Sequence, residues 1–121
     1  MPITMTVTGV NAIGNQLRVL TNLVFTGSYP TGGDTIDLTT LIGQGHGSGV
    51  AVFNNMPLQA TPSLGGGIDA EFIPGSALNN GKLKLFTAGG TELGAGTYAA
   101  NAALLAASLN NYIEWFFDKL L

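Results

Sequence analysis

The feature that most constrains this chain is a ten-residue run, Gln16 to Phe25, reading QLRVLTNLVF. Leu17, Val19, Thr21, Leu23 and Phe25 fall on one side of a two-residue period. Gln16, Arg18, Leu20, Asn22 and Val24 fall on the other. A strand exposes alternate side chains to opposite faces, so this run predicts a long strand with one buried face. Its second face is mixed rather than polar, which predicts a central strand or one covered by a neighbour. The same period organises the start of the chain. In ITMTVTG, Ile3, Met5 and Val7 oppose Thr4, Thr6 and Thr8, and Gly9 is expected to end the strand.

Further strands follow between glycine-rich connections. TIDLTTLIG reads as a short strand with a glycine stop, and VAVFNNMPLQA as a strand interrupted by Pro57. Proline cannot donate to a ladder, so Pro57 marks an edge or a bulge. TPSLGGG and GQGHGSG read as loops. IDAEFIPG sets Ile68, Ala70 and Phe72 against Asp69 and Glu71. Asn80-Gly81 is a tight-hairpin signal, followed by Leu83 and Leu85 facing in and Lys82 and Lys84 facing out. Gly89-Gly90 predicts a second tight turn. YAANAALLAASLNN is the one helical composition, one to two turns stopped by Asn110-Asn111. YIEWFFDKL returns to strand, with Ile113, Trp115 and Phe117 on one face and Tyr112, Glu114, Phe116 and Asp118 on the other.

About eight short strands at near-regular spacing, with one short helical segment near the C-terminus, predict an all-β fold. The expectation is a single β-sandwich or barrel-like domain over residues 1–121. At 121 residues the chain can bury a core without staples, and it has no cysteine to form one.

The corner after the long strand, FTGSYPTGGDTIDL, carries its own expectations. Pro30 fixes φ, Gly32 and Gly33 permit a reversal through positive φ, and Asp34 can bond nearby backbone. Tyr29 is expected to pack its ring on the sandwich with its hydroxyl near water.

Charge narrows the function. Charged residues make up 9% of the chain, against roughly 25% in an average soluble domain. Glycine, 18 of 121, is about twice its ordinary share of ~7%. So weakly charged a surface is one that partners can cover. Arg18, Lys82, Lys84 and Lys119 are scattered and the net charge is −3, which argues against nucleic acid as a partner. No stretch reaches the ~18 apolar residues that span a bilayer, and the start lacks the basic and apolar regions of a signal peptide. The expectation is no membrane association.

Catalytic patterns fail on inspection. The single histidine, His46, sits two residues from Ser48 in HGSGV, where a nucleophile elbow needs glycine in place of the histidine. Asp34 with Asp37, and Asp69 with Glu71, are near in sequence, but neither pair makes a Ca²⁺ loop. GSALNNGKL has five residues between its glycines and Leu83 where a phosphate loop needs Ser or Thr. The reading is a non-enzyme with no metal and no cofactor. Trp115, Phe116 and Phe117 are consecutive, so both faces of the last strand carry a large ring, and one face needs a cover.

Taken together, GNQLRVLTNLVFTGSYPTGGDTIDL, NNGKLKLFTAGGTELGAGTY and the terminal aromatic strand resemble small β-rich virion proteins of tailed bacteriophages. These are the capsid decoration, or cement, proteins and related minor head proteins. The segment FTGSYPTGGDTIDL carries the resemblance most specifically. It implies a structural protein on the outer capsid surface of the virion, made in the host bacterial cytoplasm. The major capsid protein would be its partner, with self-association as a dimer or trimer. Expected interface residues are Ile3, Met5 and Val7 of the first strand, Tyr29 and Pro30 of the corner, and Trp115 and Phe116 of the last strand. The alternative is a tail or head-fibre domain that binds a carbohydrate or receptor.

Overall fold

A computed structural model describes residues 3–13, 16–41, 57, 59–65, 67–98 and 111–118. The chain is all-β. Nine strands are found among these residues: β1 (Ile3–Ile13), β2 (Gln16–Phe25), β3 (Ser28–Tyr29), β4 (Asp34–Ile36), β5 (Gln59–Ser63), β6 (Asp69–Ile73), β7 (Gly81–Phe86), β8 (Gly96–Thr97) and β9 (Tyr112–Asp118). They form a four-stranded sheet of order β1-β2-β9-β5, a three-stranded sheet of order β4-β7-β6, and a two-stranded ribbon, β3-β8. All pairings are antiparallel.

The two larger sheets share one core. Leu17, Val19, Leu23, Ile113, Trp115 and Phe117 from the first meet Ile36, Leu83 and Leu85 from the second in a single buried cluster. The Phe72 ring of β6 meets Trp115 of β9 edge-on, with centroids 4.9 Å apart, and so ties the sheets together. The inward faces of β2, β7 and β9 are those the alternation predicts. β2 is central, between β1 and β9, which accounts for its half-apolar second face.

Thr21 is a polar residue inside this core. Its hydroxyl donates to the Ile113 carbonyl at 3.0 Å and accepts from Trp115 Nε1 at 3.0 Å. The indole N–H would otherwise be buried without a partner. Asn111 serves a similar end. Its carbonyl accepts from Leu23 N at 2.8 Å, and its side-chain oxygen accepts from Gly65 N at 2.9 Å. It thereby joins the end of β2, the segment after β5 and the start of β9.

Several expectations are corrected. Gly9 does not end the first strand. The register with β2 shifts between Val7 and Gly9, leaving Thr8 as the extra residue of a β-bulge. The bulge reverses the alternation: Met5 and Val7 point inward before it, and Val10 packs against the core after it. The Thr8 hydroxyl donates to the Leu20 carbonyl at 3.2 Å, bridging the break in the ladder.

The LTTL of TIDLTTLIG is a 3-10 helix, Leu38–Leu41, not strand. The Asp37 carboxylate caps it by accepting from Thr39 N at 3.0 Å, which favours a helical turn over continued pairing. The TPS of TPSLGGG belongs to β5, with Pro62 opposite Ile113. β9 is the neighbour of β5 in the sheet, and a proline is tolerated where its missing N–H faces away from the ladder.

Asn80-Gly81 is not a two-residue turn either. β6 ends at Ile73 and β7 begins at Gly81, so the connection runs from Pro74 to Asn80. Asn80 organises it, accepting from Ala77 N at 2.9 Å and donating to Ser76 Oγ at 2.8 Å. The glycine is needed for space instead. A Cβ on Gly81 would lie 2.8 Å from the Phe72 ring.

The turn at Gly89-Gly90 is present, with Gly90 at φ 85° and Gly90 N donating to the Thr87 carbonyl at 2.9 Å. The expected helical segment (99–110), the GQGHGSG loop with His46 and Ser48, and most of VAVFNNMPLQA lie outside the described residues.

Candidate contact face and the locked corner

The four-stranded sheet turns one face to the core and the other outward. Strand register sets the outward face in rows. Arg18 lies between Asn11 and Phe116, and Phe116 lies beside Gln59. Leu20 is followed by Glu114 and Thr61, and Asn22 by Tyr112 and Ser63, with Thr6 on its β1 side. Thr4 stands beside Val24. The face is thus small polar residues interleaved with half-buried Leu20, Tyr112 and Phe116, and with Val24 at 40% exposure.

Its charge is balanced locally. Arg18 Nε donates to Glu114 Oε2 at 2.7 Å, and Arg18 Nη2 meets the same oxygen. This pair bridges β2 and β9 diagonally, as facing strands allow. Beside it the bulge opens a shallow hollow of about 180 Å³, lined by Gly9, Val10, Asn11, Arg18 and Leu20. A second cleft, of about 270 Å³, lies between β5 and β6 and includes Pro57, Pro62, Pro74 and Phe72.

The corner after β2 is built more firmly than its sequence shows. Gly32 and Gly33 adopt φ of 93° and 112°, as the reversal requires, and Gly33 N donates to the Pro30 carbonyl at 3.1 Å. Tyr29 is buried, and its hydroxyl is not near water. It donates to Glu92 Oε2 at 2.8 Å and accepts from Leu85 N at 3.1 Å. The same Glu92 oxygen accepts from Gly32 N at 2.6 Å. Asp34 is also buried. It accepts from the Tyr98 hydroxyl at 2.7 Å and from its neighbour Thr35 N at 2.9 Å. The rings of Phe25 and Tyr98 pack at 5.2 Å, and those of Tyr29 and Tyr98 edge-on at 6.2 Å.

These contacts set the protonation of the corner. Burial, with Glu92 close by, pushes the Tyr29 hydroxyl up to about 12. Burial and the Asp34 carboxylate raise Tyr98 further. The Gly32 N–H and the Tyr29 hydroxyl hold the Glu92 carboxyl below its usual value. Both tyrosines therefore stay protonated at neutral pH and act as donors to these carboxylates.

The expected interface residues divide. Ile3, Met5, Val7, Tyr29 and Trp115 are buried in the chain's own core, so their side chains do not present a surface to a partner. The physical reason is the alternation itself: an apolar face on a half-buried strand is taken first by the intramolecular core. Pro30 is exposed and Phe116 is half-buried on the outward face. The residues that make up that face beside Phe116 are Leu20, Asn22, Val24 and Tyr112. Their signal in the sequence is the mixed second side of QLRVLTNLVF. Glu92 and Tyr98 carry no local signal, because their roles exist only once β3 and β8 pair.

Asp34 and Asp37 diverge in role, one buried under Tyr98 and one capping the 3-10 helix. Among the described residues no group of three or more His, Cys, Asp or Glu side chains is placed to hold a metal ion. No described helix is long and apolar enough to cross a membrane. Comparison with protein-family models, with curated proteins and with solved structures gives no significant match.

Proposed function

We propose that this chain is a non-enzymatic structural protein of a phage virion, a capsid decoration protein. It lays the outward face of its β1-β2-β9-β5 sheet on the major capsid protein. The observation that carries this reading is the character of that face. It is broad, set on a rigid sheet, and its Arg18–Glu114 charges cancel each other. Small polar residues and half-buried apolar ones alternate over it. Such a face suits a large, weakly polar surface rather than a small charged ligand. The low charge of the whole chain and the sequence resemblance support the same reading.

On a shell the partner surface repeats many times. Each copy needs only a weak contact, and self-association into a dimer or trimer multiplies it through avidity. The effect would be to clamp neighbouring capsid subunits against outward pressure.

Co-sedimentation of the purified protein with assembled phage heads tests this. The native chain is expected to pellet with heads and to raise their resistance to heat. Phe116→Lys and Leu20→Lys, on the outward face and away from the core, are expected to remain folded and to stay in the supernatant. Native protein that stays in the supernatant, or lysine variants that pellet as well as the native chain, would overturn the reading. Recognition of glycans by that face on an array would transfer it to an attachment module.

A further inference from the structure

We propose that the corner formed by residues 27–34 and 92–98 is an acid-sensitive latch, which opens when Glu92 is protonated while the four-stranded sheet stays closed. Little backbone pairing holds the β3-β8 ribbon itself. The β3-β8 ribbon pairs Ser28 with Thr97 and Tyr29 with Gly96, extended by Tyr98 N donating to the Gly27 carbonyl at 2.9 Å. A two-stranded ribbon this short is not stable by itself. It is fastened to β7 by Leu93 N, which donates to the Leu85 carbonyl at 2.9 Å, by the Asp34–Leu83 pair, and by two buried tyrosines, each of whose hydroxyls ends on a carboxylate.

Those two carboxylates gather four donors. Glu92 takes the Tyr29 hydroxyl and Gly32 N, and Asp34 takes the Tyr98 hydroxyl and Thr35 N. Tyr29 has no freedom to turn elsewhere. Its oxygen already accepts Leu85 N of β7, so its proton is directed at Glu92. Hydrogen bonds to an ionised acceptor are roughly twice as strong as neutral ones. Protonation of Glu92 therefore weakens its bonds to Tyr29 and Gly32 together.

The charged and titratable groups around the latch come from each element packed on it. Lys84 of β7 faces Glu92 and favours its ionised form. Tyr29 of β3 faces Glu92 and feels Asp34 of β4. Tyr98, after β8, faces Asp34 and feels Tyr29. The sign follows from Glu92, whose carboxyl is held below its usual 4.5. A carboxylate with a depressed pKa stabilises the fold above its unfolded value and loses that contribution as pH falls through its folded one. The latch is closed at neutral pH; its hold begins to weaken as pH falls past about 4.5 and is lost as pH falls through the lowered Glu92 pKa.

Among the described residues, the buried side of the large sheet holds no carboxylate. Its inward residues Leu17, Val19, Leu23, Ile113, Trp115 and Phe117 do not titrate, and neither does the Thr21–Trp115 bond. The Glu114 carboxylate lies on the outward face with Arg18.

Hydrogen exchange on the full chain, read by mass spectrometry at pH 7 and pH 3.5 and corrected for intrinsic rates, tests the proposal. At pH 3.5, one unit below the ordinary Glu value of 4.5, segments 27–34 and 92–98 are expected to lose protection by up to about ten-fold. Segments 16–25 and 112–118 and the Trp115 emission are expected to stay constant. The double variant Asp34→Asn/Glu92→Gln keeps shape and acceptor oxygens but cannot titrate there, so its corner should exchange alike at both pH values. Equal loss of protection in corner and sheet, or a full pH step in the double variant, overturns the latch. Should Trp115 emission show the double variant unfolded, Glu92→Gln alone decides: a diminished step supports the latch, and an undiminished one refutes it.

Discussion

Replacing Thr21 by valine isolates one hydroxyl at the centre of the fold. The side chain is fully buried on β2, opposite Ile113 of β9. Its hydroxyl is the acceptor for Trp115 Nε1 and a donor to the Ile113 carbonyl. Valine keeps the branched shape and the strand preference but removes both bonds. Leaving the buried indole N–H without a partner costs about 1–3 kcal/mol. The new methyl group offsets this by about 0.8 kcal/mol. A net loss of about 0.2–2 kcal/mol follows, or up to roughly 10 °C in Tm for a domain of this size.

Urea or thermal unfolding followed by the emission of the single tryptophan measures it. The indole N–H signal in a ¹H–¹⁵N NMR spectrum separates this cause from mere repacking. It should move upfield in Thr21→Val and hold its position in Thr21→Ser, which retains the hydroxyl. A Thr21→Val protein as stable as the native one, with an unmoved indole signal, would refute the bond as a source of stability.

Gly33→Ala should cost about 2–3 kcal/mol, because φ is 112° and a Cβ would stand 3.0 Å from the Leu83 carbonyl oxygen. Gly32→Ala, at φ 93° but with open space around it, should cost less, and chemical denaturation of the two side by side checks the order. Gly81→Ala should cost about 1–3 kcal/mol by pushing the Phe72 ring off Trp115, seen as lower stability with altered tryptophan emission. Arg18→Ala should change stability by less than about 1 kcal/mol in the same denaturation assay, since the Arg18–Glu114 pair is solvent-exposed. In an alkaline absorbance titration Tyr29 should stay protonated until about pH 12. Its raised pKa means that its contribution to stability is complete below the usual tyrosine value near 10 and is lost as pH climbs through about 12.

What the sequence made legible follows from what alternation encodes. Period two assigns a face to each residue, so the inward sets on β2, β7 and β9 and the central place of β2 are readable before any pairing is known. Alternation says nothing about interruptions. Thr8 looks like one more outward threonine, yet the bulge there lets β1 run past Gly9 and turns Val10 inward. Local chemistry can also point to the wrong cause. Asn80-Gly81 has the letters of a tight turn, but the glycine is present to admit the Phe72 ring, and that ring comes from another strand. The expected interface residues show the deepest limit. Ile3, Met5, Val7 and Trp115 are the most apolar residues of their strands, so they suggest a sticky surface, and the same property draws them into the core. The outward face is left to residues of middling character, Leu20, Asn22, Val24, Tyr112 and Phe116, which draw attention only when register aligns them. Glu92 and Tyr98 become meaningful only through residues 63 and 64 positions away in the chain.

The proposed docking of the outward sheet face on a capsid is tested by a reconstruction of the phage particle at side-chain resolution. This chain is expected in regular copies on the outer shell, with Leu20, Asn22, Tyr112 and Phe116 turned toward capsid subunits. A particle that lacks the chain, or one that holds it with this face open to solvent, would contradict it.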